Sequence, residues 1–307
     1  MAEGGRKWGG WRPVHLLFLL PALLLYSLFV VYPMVSALRF SLYEWNGLER
    51  VAFSGLENFR ILFTRYPYNQ EVWDALRHNL YLFAVTMVAQ NAFALFLAVV
   101  LDRGIRRGRT LFRNVFFLPH LVAVVVVGFL WSLILNPQFG ALNRALEAAG
   151  LGALAHPWLG DPDTALTAVA LVNAWSWVGF PLIIFLANLA GIPEEYHEAA
   201  RLDGAGGWQA FRYITLPLLA PSITIVTVLT FIGNFNAFDL IYAMGGSNGS
   251  PGGSTDVLAL LFYRIAFAGN DPNAVGVSNA MAVLMFLVVF AASVLYLRWR
   301  GRGEVTY

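Results

Sequence analysis

Leu121-Val122-Ala123-Val124-Val125-Val126-Val127-Gly128-Phe129-Leu130-Trp131-Ser132-Leu133-Ile134-Leu135 carries no charge and, apart from Ser132, no polar side chain. A membrane β-barrel strand alternates apolar and polar over about 10 residues, and this run does not alternate. A helix that is apolar all round belongs in a large core or in lipid. Extended back to residue 115, the stretch is long enough at 1.5 Å per residue to cross a hydrocarbon layer of about 30 Å. Five further windows read the same way, at 14–35, 79–101, 165–190, 214–232 and 277–297. The 20 Lys and Arg and the 18 Asp and Glu all lie outside the six windows. The whole chain is 58% hydrophobic and 12% charged, where a soluble domain carries roughly 25% charge. The expected fold is therefore an all-α polytopic membrane protein with six transmembrane helices.

With the N-terminus inside, the segments placed in the cytoplasm hold 13 Lys and Arg and the external ones 7. The positive-inside rule then puts both termini in the cytoplasm. The dissenting segment is the external loop 36–78, which holds five of the external cations. The first window is 22 residues long, beyond the 7–15 of a signal-peptide core, and reads as an uncleaved anchor. Pro21 and Pro33 are expected to kink it.

Several function classes are excluded or weakened. There is no cysteine, so disulfides, thiolate metal sites and thiol nucleophiles are absent. The net charge of +2, with no basic block longer than 103–113, argues against a nucleic-acid partner. The single lysine, Lys7, fits no phosphate-binding loop, so this chain has no nucleotide site of that type. The histidines at 15, 78, 120, 156 and 197 have no paired metal spacing. No cofactor, metal or catalytic group is expected, and the chain does not read as an enzyme. The spans hold no Asp, Glu, Lys or Arg, which weakens the alternative of a self-contained channel or ion-coupled secondary transporter. Their titratable candidates, His15 and His120, lie near span ends and read as interfacial.

The cytoplasmic loop 191–213 is the most informative segment. Pro193 opens a helix, and Glu194 and Glu195 sit where the helix dipole favours acids. The helix runs through Asp203 and ends at Gly204, a permissive C-terminal cap. Gly206-Gly207 makes a second turn, and Trp208-Gln209-Ala210-Phe211 starts another short helix. Together these form a helix-turn-helix outside the bilayer. Small alanines beside exposed acids suit docking in another protein's groove.

The wording of that loop carries a resemblance. Glu198-Ala199-Ala200, then Asp203-Gly204-Ala205, then Ile214-Thr215-Leu216-Pro217 resembles the EAA motif of the inner-membrane permease subunits of binding-protein-dependent ABC importers. The likeness extends from about residue 14 to 300 and is similar to the sugar-permease branch, including the larger maltose permease subunit and its glycerol-phosphate and oligosaccharide relatives. Phe117-Leu118-Pro119, the stretch 185–193 and Phe238-Asp239-Leu240-Ile241-Tyr242 support it. The usual tight Gly-Gly-Pro turn is replaced here by the longer 245–253. The resemblance implies a type I importer permease with residues 1–13 and 301–307 as cytoplasmic tails around a transmembrane domain at 14–300. It implies a second permease in a heterodimer, a cytoplasmic ATPase dimer that performs ATP hydrolysis, and an extracytoplasmic solute-binding protein. The setting is the lipid of a bacterial or archaeal inner membrane. Glu198, Ala199, Ala200, Asp203 and Gly204 would then couple the permease to the ATPase.

Two polar stripes are candidates for the solute. Asn173, Ser176, Trp177 and Phe180 recur at helical spacing in the fourth window, and Thr230, Gly233, Asn234 and Ala237 repeat it at the end of the fifth. Amides beside aromatics suit a sugar, whose ring faces are apolar and whose hydroxyls need partners. The same residues also suit hydrogen bonding between membrane helices, and spacing leaves both readings open. The stripes fall where the maltose-type subunit has its sugar contacts. Asn173 and Asn234 match that pattern in kind and Phe180 keeps an aromatic, whereas Trp177, Gly233 and Ala237 differ from it. Asn236 and Asp239 are neighbouring candidates.

Overall fold

The computed structural model describes residues 13–104 and 108–300. Residues 1–12 of the expected tail at 1–13, the expected tail at 301–307 and the side chain of His15 lie outside this description. The order of elements is α1 (Leu17–Phe40), β1 (Tyr43–Asn46), β2 (Glu49–Phe53), α2 (Glu57–Thr64), α3 (Tyr68–Asp102), α4 (Arg109–Leu121), α5 (Val124–Ile134), α6 (Ala141–Ala148), α7 (Pro162–Trp177), α8 (Gly179–Leu189), α9 (Glu194–Leu202), α10 (Gly207–Leu218), α11 (Ala220–Phe235), α12 (Asp239–Gly245), α13 (Leu258–Ala268) and α14 (Ala274–Arg300).

Three of these, α1, α3 and α14, are long and apolar enough to cross a membrane unbroken. The count reaches six when the bent pairs α4–α5, α7–α8 and α10–α11 are each one span. Their bends are 95°, 44° and 64°. The third span is therefore not the straight rod that the apolar run suggests. Pro119 lies in a 3₁₀ turn at Leu118–Leu121, and Val122 and Ala123 are extended, so α4 and α5 meet almost at a right angle. The fourth span bends where Pro181 lacks the N–H that would continue the ladder and where Gly179 lets the backbone of α4 approach. A Cβ at Gly179 would lie 2.6 Å from the Phe116 carbonyl oxygen. In α1 the chain absorbs Pro33 by widening into a π-turn at Ser27–Val31.

The loop after α1 holds an antiparallel hairpin, β1–β2, which the all-helical reading did not include. Gly47-Leu48 is its two-residue turn, with Gly47 at φ +62°. Asn58 fastens the hairpin region, donating to the carbonyls of Ser41 and Tyr43 and accepting from Asn273 ahead of α14.

α3 organises the interior. Its Leu82 joins a cluster with Val127, Val169 and Ile241; its Val72 and Ala75 join Leu261, Val277 and Met281; its Ala94 and Ala98 meet Leu182, Phe185 and Leu189 of α8. Lipid tails are as apolar as leucine, so membrane helices associate by close packing. The fully buried pair Ala94 and Ala98, four residues apart, lets α8 approach closely. By contrast, no part of the apolar window of α1 is buried in this chain.

Candidate functional site

α7, α8 and α11 enclose a cavity of about 410 Å³ with the start of α12. Asn173, Trp177 and Phe180 line it from one side and Thr230, Gly233, Asn234 and Ala237 from the other, with Asn236 and Asp239 at the end of α11 and the start of α12. The structure does not bring Ser176 into this wall. Ser176 is buried and donates to the carbonyl of Asn173 at 2.9 Å. At 3.6 residues per turn it stands about 60° off Asn173, on the side away from Trp177, and a back-bond to its own helix satisfies it.

The amides of the wall are also bonded between helices. Asn234, 3% exposed, donates through Nδ2 to Thr86 Oγ1 at 2.8 Å and to the Thr230 carbonyl at 2.9 Å, and its Oδ1 accepts from Asn173 Nδ2 at 3.4 Å. Asn91 Nδ2 donates to Thr230 Oγ1 at 2.9 Å and Gln90 donates to Asn91. Asn79 donates to the Asn234 carbonyl at 2.8 Å and accepts the Leu258 N–H at 2.9 Å. Every donor and acceptor placed here needs such a partner, because an unpaired buried amide costs a few kcal/mol. The two readings of the polar stripes are therefore not exclusive in geometry: the same amides join helices and face the cavity.

Asn79, Thr86, Gln90 and Asn91 are uncharged side chains in an otherwise apolar window and were not among the expected site residues. Their signal was present: 79, 86 and 90 recur at i, i+7 and i+11, one helical face. α3 forms a π-turn at Met87–Ala92, and the wider turn buries two consecutive side chains, Gln90 and Asn91. His120 sits in the 3₁₀ turn at the end of α4. Its ring packs edge-on against Trp177 at 4.5 Å between centroids and lies 6.1 Å from Phe180, supporting both from behind.

The knuckle at 191–213 is built locally. α9 begins after Pro193, with Glu194 and Glu195 in its first turn, and Glu194 pairs with Arg201 at 2.8 Å. It ends one residue sooner than expected, at Leu202, with Asp203 as cap. Gly204 takes φ +78°, and the Ala205 N–H closes the cap on the Ala200 carbonyl at 2.8 Å. Gln209 Oε1 accepts the Gly206 N–H at 2.7 Å and so starts α10, which runs through Pro217. Ala200 is buried, while Glu198, Ala199, Asp203 and Gly204 are exposed. Leu202 is 89% and Trp208 72% exposed, apolar surface that no described residue covers. Among the described residues no three His, Asp or Glu side chains gather as a metal site would need.

The sequence pattern of a family described as the binding-protein-dependent transport system inner membrane component matches residues 90–300. A probable ABC transporter permease, YurN of Bacillus subtilis, is 34% identical, covering 94% of this chain and 96% of its own. The probable starch degradation products transport system permease AmyD of Thermoanaerobacterium thermosulfurigenes is 30% identical, covering 94% of each. A crystal structure of a bacterial ABC transporter involved in the import of the acidic polysaccharide alginate contains a chain that superposes with a TM-score of 0.80 at 22% identity, over 95% of this chain and 96% of that one, a likeness of fold. The bent spans, the polar cavity and the EAA loop thus sit in a membrane-embedded chain that belongs to the family of binding-protein-dependent transport system inner membrane components.

Proposed function

We propose that this chain forms half of the transmembrane pathway for a sugar or sugar-like solute. Permeases of this family work with a binding protein, and ATP is hydrolysed on a separate subunit. The observation that carries the sugar reading is the cavity itself: apart from Asp239 its lining is uncharged, with four amides and three aromatic rings in reach of one ligand. In this reading Asn173, Trp177, Phe180, Thr230, Gly233, Asn234 and Ala237 face the solute, and Ser176 stiffens the wall behind them. The relative that handles starch degradation products supports the same solute class.

The knuckle is the coupling element in this proposal. Glu198 and Asp203 offer carboxylates to a partner's cations, Ala199 and Ala200 let the helix lie close, and Gly204 holds the turn. A cytoplasmic ATPase dimer docks there, with residues 1–13 and 301–307 on the same side and the domain 14–300 in a bacterial or archaeal cell membrane. A second permease completes the pathway as a heterodimer. The bare surface of α1 supports this, since its apolar side chains need either another permease or lipid against them.

The test is uptake into proteoliposomes. The chain reconstituted with its second permease, ATPase and binding protein takes up a labelled sugar only when ATP is present inside reach of the ATPase. Equal flux through vesicles holding this chain alone, without ATP, would sink the proposal and restore the self-contained transporter.

A further inference from the structure

Of the amides that line the cavity, two belong to deeply buried side chains, Asn234 at 3% and Gln90 at 5% exposure. Asn234 is spent: its Nδ2 donates to Thr86 and to the Thr230 carbonyl, and its Oδ1 accepts from Asn173. Gln90 is not. Its Nε2 donates to Asn91 Oδ1 at 3.2 Å, while its Oε1 accepts no hydrogen bond from any described residue. Nor is that oxygen sealed among packed atoms, as the partnerless Asp256 Oδ1 and Ser54 Oγ are. An acceptor left unpaired in so buried a side chain is unfavourable until a donor reaches it.

The amide is held from behind. α3 widens into its π-turn at Met87–Ala92, a feature that recurs at functional sites, and buries Gln90 and Asn91 together. Asn91 in turn donates to Thr230 Oγ1 on α11 at 2.9 Å and to Met87 Sδ. With Nε2 committed to this relay, Oε1 is the atom that Gln90 has left to offer the cavity. Gln90 stands on the second span, whereas the expected solute residues come from the fourth and fifth spans and the turn that follows.

We propose that Gln90 is a specificity-determining solute contact: its Oε1 accepts a hydrogen bond from one hydroxyl of the cargo, on a wall that the two polar stripes do not supply. The inference rests on the sugar reading of the cavity. Oε1 only accepts, so it separates a solute that carries an O–H at that point from one that carries a hydrogen there. A lipid tail offers it nothing. A side chain of the second permease would occupy it whichever solute was present.

The experiment is a cycle between this residue and the sugar hydroxyls. Wild type is compared with Gln90→Met, close in length and without a strong acceptor, in the complete complex in proteoliposomes with saturating loaded binding protein. The parent probes are labelled glucose, galactose, maltose, lactose and cellobiose. The parent that wild type takes up fastest is then supplied as the set of its derivatives lacking one ring hydroxyl. What the binding protein contributes cancels between the two proteins for each probe. For one hydroxyl, removal lowers wild-type uptake about tenfold and leaves uptake by Gln90→Met unchanged. Removal of the others affects both proteins alike, a pattern that general loosening of α3 would not produce. If Gln90→Met does not accumulate, Gln90→Asn takes its place, since it draws the oxygen back by one methylene, and the same pattern is expected. Equal dependence on every hydroxyl in wild type and variant overturns the proposal and leaves the sugar reading intact; a hydroxyl whose loss abolishes uptake by both counts as equal. Failure of both variants to accumulate also overturns it, marking Gln90 as a packing residue. Wild-type uptake of no parent sugar defeats the sugar reading first, and the contact with it.

Discussion

The cavity wall and the knuckle at 191–213 both place polar residues beside apolar helix, and they hold them in opposite ways. In the wall, Asn79 and Thr86 of α3 bond to Asn234 of α11, and Asn91 of α3 bonds to Thr230 of α11, over sequence separations of more than 130 residues. In the knuckle the bonds that set the shape are short-range: Ala205 to Ala200, Gly206 to Gln209 and Arg201 to Glu194. The wall is shaped by tertiary contact inside the protein. The knuckle is shaped by its own caps and keeps its outer face free for a partner. Damage to the wall should therefore appear as lost folding, and damage to the knuckle as lost coupling in a folded protein.

Gly179→Val is the largest test on the wall side. Its Cβ would sit 2.6 Å from the Phe116 carbonyl oxygen and the Phe117 Cα, backbone atoms that no rotamer change can move. Overpacking of this kind costs about 3 kcal/mol, so the variant should fail to accumulate as a monodisperse protein in detergent. A wild-type yield and melting temperature would show that the α4–α8 contact is looser than described.

Gly204→Val is the matching test on the knuckle. Nothing lies within 4 Å of the added Cβ, so only the φ of +78° resists it, at about 1–2 kcal/mol. The melting temperature should fall by only about 3–6 °C while ATPase capture and uptake fall at least tenfold, a size that reflects the displaced docking face rather than the strain. Gly204→Asn, which tolerates the left-handed region, should retain most of both. Equal losses in the two variants would mean that the turn's conformation is not what matters.

A smaller effect should separate the two regions again. Asn79→Leu removes the acceptor of the buried Leu258 N–H and one bond to α11, at a cost of about 1–2 kcal/mol. That corresponds to a drop of roughly 3–6 °C in melting temperature. Glu194→Ala in the knuckle breaks an exposed pair worth about 0–1 kcal/mol and should leave the melting temperature unchanged within error.

The smallest effects are in pH dependence, where two carboxylates outside the spans repeat the contrast. Asp256 is held by tertiary structure, and burial raises its pKa despite the pairing with Arg264. A raised carboxylate pKa favours the fold while protonated, so this contribution is present below the ordinary Asp value and fades as pH rises through the raised one. Asp161 is held locally, by the Asp163 N–H and then by His156, which lower its pKa. Its contribution is present above the ordinary value and fades as pH falls through the lowered one. In melting scans across the acid range, Asp256→Asn should remove a gain on acidification and Asp161→Asn a loss. Parallel curves for both variants and wild type would show that neither group is linked to folding.

Much of this was legible in the chain. The segregation of charge located the spans, and Pro193, Gly204 and the paired acids located α9 to within a residue at each end. The candidate stripes put seven residues around one cavity. What escaped depended on contact. Ser176 has the spacing of a wall residue but turns to its own helix, and the 95° break in the third span follows from Pro119 together with the approach of α4 to Gly179 on α8. The polar stripe of α3 was readable at helical spacing, yet its importance came only from the partners on α11.

The sequence by itself determined which segments enter lipid, because a bilayer taxes charge residue by residue, and it determined the knuckle, because caps and turns act within a few positions. Only the tertiary structure decided which amides meet and which side chain of a stripe faces the cavity. Those outcomes depend on the angles at which bent spans cross, and such angles are set by distant small residues and prolines acting together.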